Sequence, residues 1–116
     1  MIAGHSATLA LPAASAALST PTFTAALLDE LRPLLASHPL LAAATEQGGR
    51  IEPASVRLTL LGGDAAQRDL RLGVFCDEIV GGCSCGDPPY TTPLYLELTL
   101  RLDPRAATAK VRLLLR

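Results

Sequence analysis

Residues 94–102 read LYLELTLRL. Leu94, Leu96, Leu98, Leu100 and Leu102 share one face of an extended chain, while Tyr95, Glu97, Thr99 and Arg101 share the other. A period of two is what a strand shows when one face meets a core and the other meets water, because successive side chains point to opposite sides. The same alternation recurs in shorter form elsewhere. Val56, Leu58 and Leu60 alternate with Arg57 and Thr59; Leu70, Leu72 and Val74 with Asp69 and Arg71; Val111, Leu113 and Leu115 with Lys110 and Arg112. Half-buried strands of this kind build antiparallel sheets. Gly62-Gly63-Asp64 and Asp103-Pro104 supply turn chemistry between consecutive strands, so the chain reads as a meander.

Upstream of Ile51 the period is that of a helix. Thr20 and Pro21 form an N-cap and first-turn pair, since proline there lacks an N–H that had no partner anyway. Phe23, Leu27, Leu31 and Leu34, with Ala26 beside them, then fall on one face, and Asp29, Glu30 and Arg32 turn outward. Pro33 interrupts the pattern, so the helix ends near Leu31 or kinks there. Ser37, His38 and Pro39 offer a second start, and Gly48-Gly49 a stop. The expected fold is therefore α+β in two layers: a bent or broken N-terminal helix over 21–47, packed on a four-stranded, mainly antiparallel sheet. Residues 1–19 read as a weakly structured arm in which Ala7–Leu11 alternates faintly as a short edge strand, and 20–116 as one domain.

Composition narrows the function. The chain has 116 residues, enough for one independent core, and 49% are apolar. Aromatic residues are confined to Phe23, Phe75, Tyr90 and Tyr95, so stacking platforms for bases are scarce. Ten Lys plus Arg face eleven Asp plus Glu, for a net charge of -1, which does not point to a nucleic-acid partner. All the cations but Lys110 are Arg, and with the Ala and Leu bias this resembles high-GC bacterial coding. The first residues lack the positive charge of a secretory signal and are interrupted by Pro12, and no apolar run has membrane-spanning length. A cytoplasmic location is expected, with free thiols.

The cysteines gather between the second and third alternating runs. Cys76, Cys83 and Cys85 lie in FCDEIVGGCSCGDPPY, residues 75–90, within an expected loop over 76–93. Three convergent thiolates suit zinc or Cu(I), and Asp87, Asp77, Glu78, His38 or His5 would supply a fourth ligand; Cys76, Cys83, Cys85 and Asp87 are the candidate metal set. The plain alternative makes Cys76 a small core hydrophobe and leaves Cys83 and Cys85 reduced in the loop. Asp77, Glu78 and Asp87 form an acidic group that would raise thiol pKa values, which counts against a cysteine nucleophile. His38 reads as a cap rather than a ligand. Walker, GxGxxG, GxSxG, HExxH and EF-hand patterns are all missing from the sequence.

On the solvent face of the sheet Arg57, Arg71, Tyr95, Arg101 and Arg112 are the candidate partner-binding residues, with Lys110, Asp69 and Glu97 among them. The expected function is a small non-enzymatic binding or assembly module that meets a protein partner or a second copy of itself. The alternative is a metal-binding or thiol-redox protein centred on the cysteines.

Overall fold

The leucine ladder lies in the longest strand, Tyr90–Asp103, of a computed structural model that describes residues 6–64, 69–81 and 88–114. The elements in chain order are β1 (Ser6–Ala10), α1 (Pro12–Ala16), α2 (Phe23–Ala36), α3 (Pro39–Ala42), β2 (Arg50–Ile51), a 3-10 turn (Pro53–Ser55), β3 (Arg57–Asp64), β4 (Asp69–Val80), β5 (Tyr90–Asp103) and β6 (Thr108–Leu114). The fold is α+β. All the strand pairs are antiparallel, in the order β1-β6-β5-β4-β2, with β3 pairing the first half of β4 and β2 its far end. From β3 to β6 the chain is the expected meander, although Gly62, Gly63 and Asp64, expected in the first turn, lie within β3 and pair with Arg71, Leu70 and Asp69.

Register carries the core. Leu70 stands opposite Leu100, Leu72 opposite Leu98, Val74 opposite Leu96 and Cys76 opposite Leu94, while Leu98, Leu100 and Leu102 face Leu113, Val111 and Ala109 of β6. These inner residues are buried in one hydrophobic cluster with Phe23, Leu27, Leu31 and Leu35 of α2.

Several expectations need correction, the helix start among them: α2 begins at Phe23 with Thr22 before it, not at a Thr20–Pro21 cap. The described sheet has six strands, not four. β2 has two residues, too few to show any period, and β1 is specified by its pairing with β6 as much as by its own pattern. In the segment expected as an arm over 1–19, the faint alternation at Ala7–Leu11 does form an edge strand, β1, but the rest adds α1, with Leu11 and Ala14 at 0% exposure. The Leu11 N–H donates to the Ala107 carbonyl at 2.8 Å, and the Glu30 carboxylate accepts from the Ala13 and Ala14 N–H groups at 3.0 and 2.9 Å. Glu30 thus supplies to α1 the cap that its own Leu11 lacks.

The helical stretch is broken, but at Ser37–His38 rather than at Leu31. Pro33 sits inside α2 on its exposed side, where water can satisfy the Asp29 carbonyl that loses its partner. Because the helix continues, the buried stripe keeps a spacing of four and ends on Leu35, leaving Leu34 at 38% exposure. The loop expected over 76–93 is shorter. β4 continues to Val80 and pairs to Tyr90, so the connection occupies 81–89.

Replacing Leu98, which is 0% exposed at the centre of the ladder, leaves a cavity. We expect Leu98→Ala to lower stability by about 2–5 kcal/mol in urea denaturation, and a loss below about 1 kcal/mol would contradict its place in the core.

Candidate functional site

The outer sheet face is organised in cross-strand rows. Asp69, Arg101, Lys110 and Thr8 are successive partners across β4, β5, β6 and β1, and the next row runs Gly62, Arg71, Thr99, Arg112 and Ser6. Arg71, Arg101, Lys110 and Arg112 line a groove of about 670 Å³, together with Asp69 and Thr99. That volume is in the range of ligand sites. A smaller hollow of about 380 Å³ shares Arg101 and Lys110 and extends to Thr8, Asp103 and Thr108.

Glycine opens the groove. A bulge in β3 between Leu60 and Gly62 shifts the register, so Gly62 rather than a side-chain-bearing residue faces Arg71. A Cβ on Gly62 would meet nothing within 4 Å, which is the open space of the groove itself. Gly63 is required for a different reason: its φ is +115°, and a Cβ would fall 2.3 Å from the Asp69 carbonyl oxygen.

Charge is only partly balanced there. Arg101 pairs with Asp69 at 3.4 Å and Arg71 with Glu97 at 3.7 Å, both at the surface. Among the described residues these are the ion pairs, so Lys110 and Arg112 add positive charge to the groove without a carboxylate of their own. Two rows away along β4, Arg57, Phe75 and Tyr95 stand opposite one another. The two rings are 4.7 Å apart, with Phe75 49% and Tyr95 45% exposed. Tyr95 packs over Gly73, where a Cβ would be 3.0 Å from its ring, and its hydroxyl bonds Glu97 Oε2 at 3.0 Å.

Of the candidate partner-binding residues, the structure brings Arg71, Arg101 and Arg112 into one groove and sets Arg57 and Tyr95 at the aromatic row of the same face. Gly62 and Gly63, legible in the sequence only as turn residues, are what make the groove.

The acidic group next to the cysteines resolves differently. Glu78 is 0% exposed. Its Oε1 accepts from the Glu46 N–H at 2.8 Å, and its Oε2 accepts from those of Gln47 and Gly49 at 3.0 and 2.6 Å. Burial opposes the charge, but the N–H groups of Glu46, Gly49 and Gln47 outweigh it and hold the carboxyl below its usual pKa. Glu78 is a tie between β4 and the turn before β2. A signal for it existed, since counting by twos from Leu70 puts residue 78 inward. Asp77 points the other way and is half-buried; its N–H donates to Ser55 Oγ at 2.8 Å.

Cys76 is 4% exposed, on the inner face. Burial, followed by the charges of Asp77 and Glu78, pushes its pKa up to about 11, so the thiol is protonated at neutral pH and a metal would have to displace that proton. Cys83, Cys85, Asp87 and His5 lie outside the described residues. Among the described residues no three His, Cys, Asp or Glu side chains gather as a metal site. His38 caps α3, its Nδ1 accepting from the Leu40 N–H at 2.9 Å. No described helix is long and apolar enough to cross a membrane.

Comparison with known protein families, with curated proteins and with solved structures returns no match.

Two measurements check these assignments. Because Glu78 has a depressed pKa in the folded state, its contribution is present above the unfolded carboxyl pKa of about 4.3 and is lost as pH falls through the folded value. Glu78→Gln, which turns an amide NH2 toward backbone donors, should therefore be less stable at pH 7 and lose less on acidification than the parent protein. Equal stability of the two at pH 7 would remove the tie. For Cys76, alkylation by iodoacetamide at pH 8 should run at least about a hundredfold slower than for an exposed thiol and become fast in denaturant, followed by peptide mass analysis.

Proposed function

We propose that this protein is a non-enzymatic binding module whose outer sheet face takes an acidic segment of a protein partner. The observation that carries the reading is the convergence of Arg71, Arg101, Lys110 and Arg112 on one groove of about 670 Å³ in a chain whose net charge is -1. Positive charge is concentrated there against the balance of the molecule, which steers acidic partners to that place. The intramolecular pairs are exposed and each contributes at most about 1 kcal/mol, so a partner's carboxylates replace Asp69 or Glu97 at low cost. Arginine favours this use because its planar fork meets a carboxylate with two parallel bonds. Among the described residues no aromatic ring lines the groove, so it offers a nucleotide base no platform there, whereas an acidic peptide needs none.

The test is fluorescence anisotropy with a labelled Asp/Glu-rich peptide on the full chain. Binding should be present at low salt and weaken steeply toward about 0.5 M, as screening requires. The double variant Lys110→Glu with Arg112→Glu should weaken it at least about tenfold. Gly62→Leu, which leaves every charge in place and fills open space, should weaken it as well. Absence of binding at low salt, or equal binding by parent and both variants, would refute the reading.

A further inference from the structure

The proposal concerns what else the groove's occupant carries, and it rests on the reading just given. The rows of the outer face follow one another along β4 and β5 at intervals of two residues. Arg71, Thr99 and Arg112 form the groove row; Thr59, Gly73 and Glu97 form the next; Arg57, Phe75 and Tyr95 form the third. Each interval is roughly 6.8 Å, the two-residue repeat of an extended strand. A partner segment bound in extended form has the same repeat, so its side chains at i, i+2 and i+4 fall over successive rows.

The three rows differ in chemistry. The first is cationic. The second holds Glu97, whose Oε2 accepts from the Tyr95 hydroxyl at 3.0 Å, beside Gly73, which the Tyr95 ring covers. The third presents two aromatic rings in contact, each close to half exposed. Single exposed apolar residues are ordinary, but two tilted rings in contact form an apolar patch on the face that carries the charge groove, one row beyond Glu97.

We infer that the acidic segment recognised here has the pattern acid-x-neutral-x-apolar: the acid over Arg71 and Arg112, the neutral residue beside Glu97 in the second row, and the apolar side chain on Phe75 and Tyr95. Glu97 acts as the specificity residue, because an acid at the middle position would meet its carboxylate. The aromatic row supplies the apolar anchor that an arginine groove lacks, in the manner of interface hot spots. The patch and the groove together thus read one short motif.

Seven-residue labelled peptides test this on the full chain. The parent peptide has Glu, Ser and Leu at i, i+2 and i+4; a second replaces Leu with Ser; a third replaces the middle Ser with Glu. The Leu peptide should bind about tenfold more tightly than its Ser counterpart, the gain expected when part of an aliphatic side chain leaves water. Phe75→Ser should shrink that ratio toward one. The middle Glu should weaken binding, and Glu97→Gln should narrow the gap between the second-position Ser and Glu peptides. Circular dichroism verifies that each variant folds; Phe75 and Tyr95 are surface residues outside the hydrophobic cluster. If the Leu and Ser peptides bind equally, the apolar anchor is overturned while the groove reading stands. If no peptide binds, the groove reading falls first and this inference with it.

Discussion

Everything in this protein depends on the two-sidedness of β5. Its leucines are covered on one face, its polar residues are solvated on the other, and both edges are paired, to β4 over twelve residue pairs and to β6 over seven. A slip of one residue would turn the leucines into water and the arginine into the core, so the register is strongly held. The same register sets the outer rows. Arg101 lies between Asp69 and Lys110, and Thr99 between Arg71 and Arg112, because Leu100 must lie between Leu70 and Val111. The core and the groove are two faces of one constraint.

The helical layer is weak by itself and is held by polar side chains that reach across elements. α1 has five residues and α3 four, lengths at which an isolated helix does not persist. Glu30 caps α1 from α2, while the Nε of Arg32 donates to the Val56 carbonyl at 2.8 Å just before β3. Glu78 gathers the N–H groups of Glu46, Gln47 and Gly49 at the end of β4. In each case a charged side chain meets backbone groups of another element; only Glu78 is fully buried, and its three N–H donors are the condition under which burial of a charge is tolerated. None of these three side chains faces the groove. Fold maintenance and the proposed recognition therefore use different charged residues on opposite sides of the sheet.

The bulge in β3 joins the two. Without it, the alternation of Leu58 and Leu60 would continue and place a regular strand beside Arg71. With it, Leu61 is displaced to 40% exposure and the glycine pair lies against the first residues of β4. Bulges commonly re-aim side chains at sheet edges, and here the effect is to remove side chains from one edge of the groove.

Periodicity alone determined the α+β class, the four longer strands, their meander and the two faces of their alternating runs, because alternation by two is a local property that any core of this kind must respect. It also placed Arg71, Arg101 and Arg112 on one surface. Tertiary structure decided the rest, for reasons that are not local. β2 exists because a neighbouring strand accepts it, the faint alternation at Ala7–Leu11 becomes β1 through its pairing with β6, and α2 passes through Pro33 because that position is exposed. Asp77-Glu78 looks like a loop pair yet continues β4, since the turn at 46–49 supplies donors from about thirty residues away. The groove, too, was beyond a reading by pattern: it depends on which strands are neighbours and on a one-residue bulge. Those are set by long-range pairing, where the free energy of contacts distant in sequence outweighs the preference of any short segment.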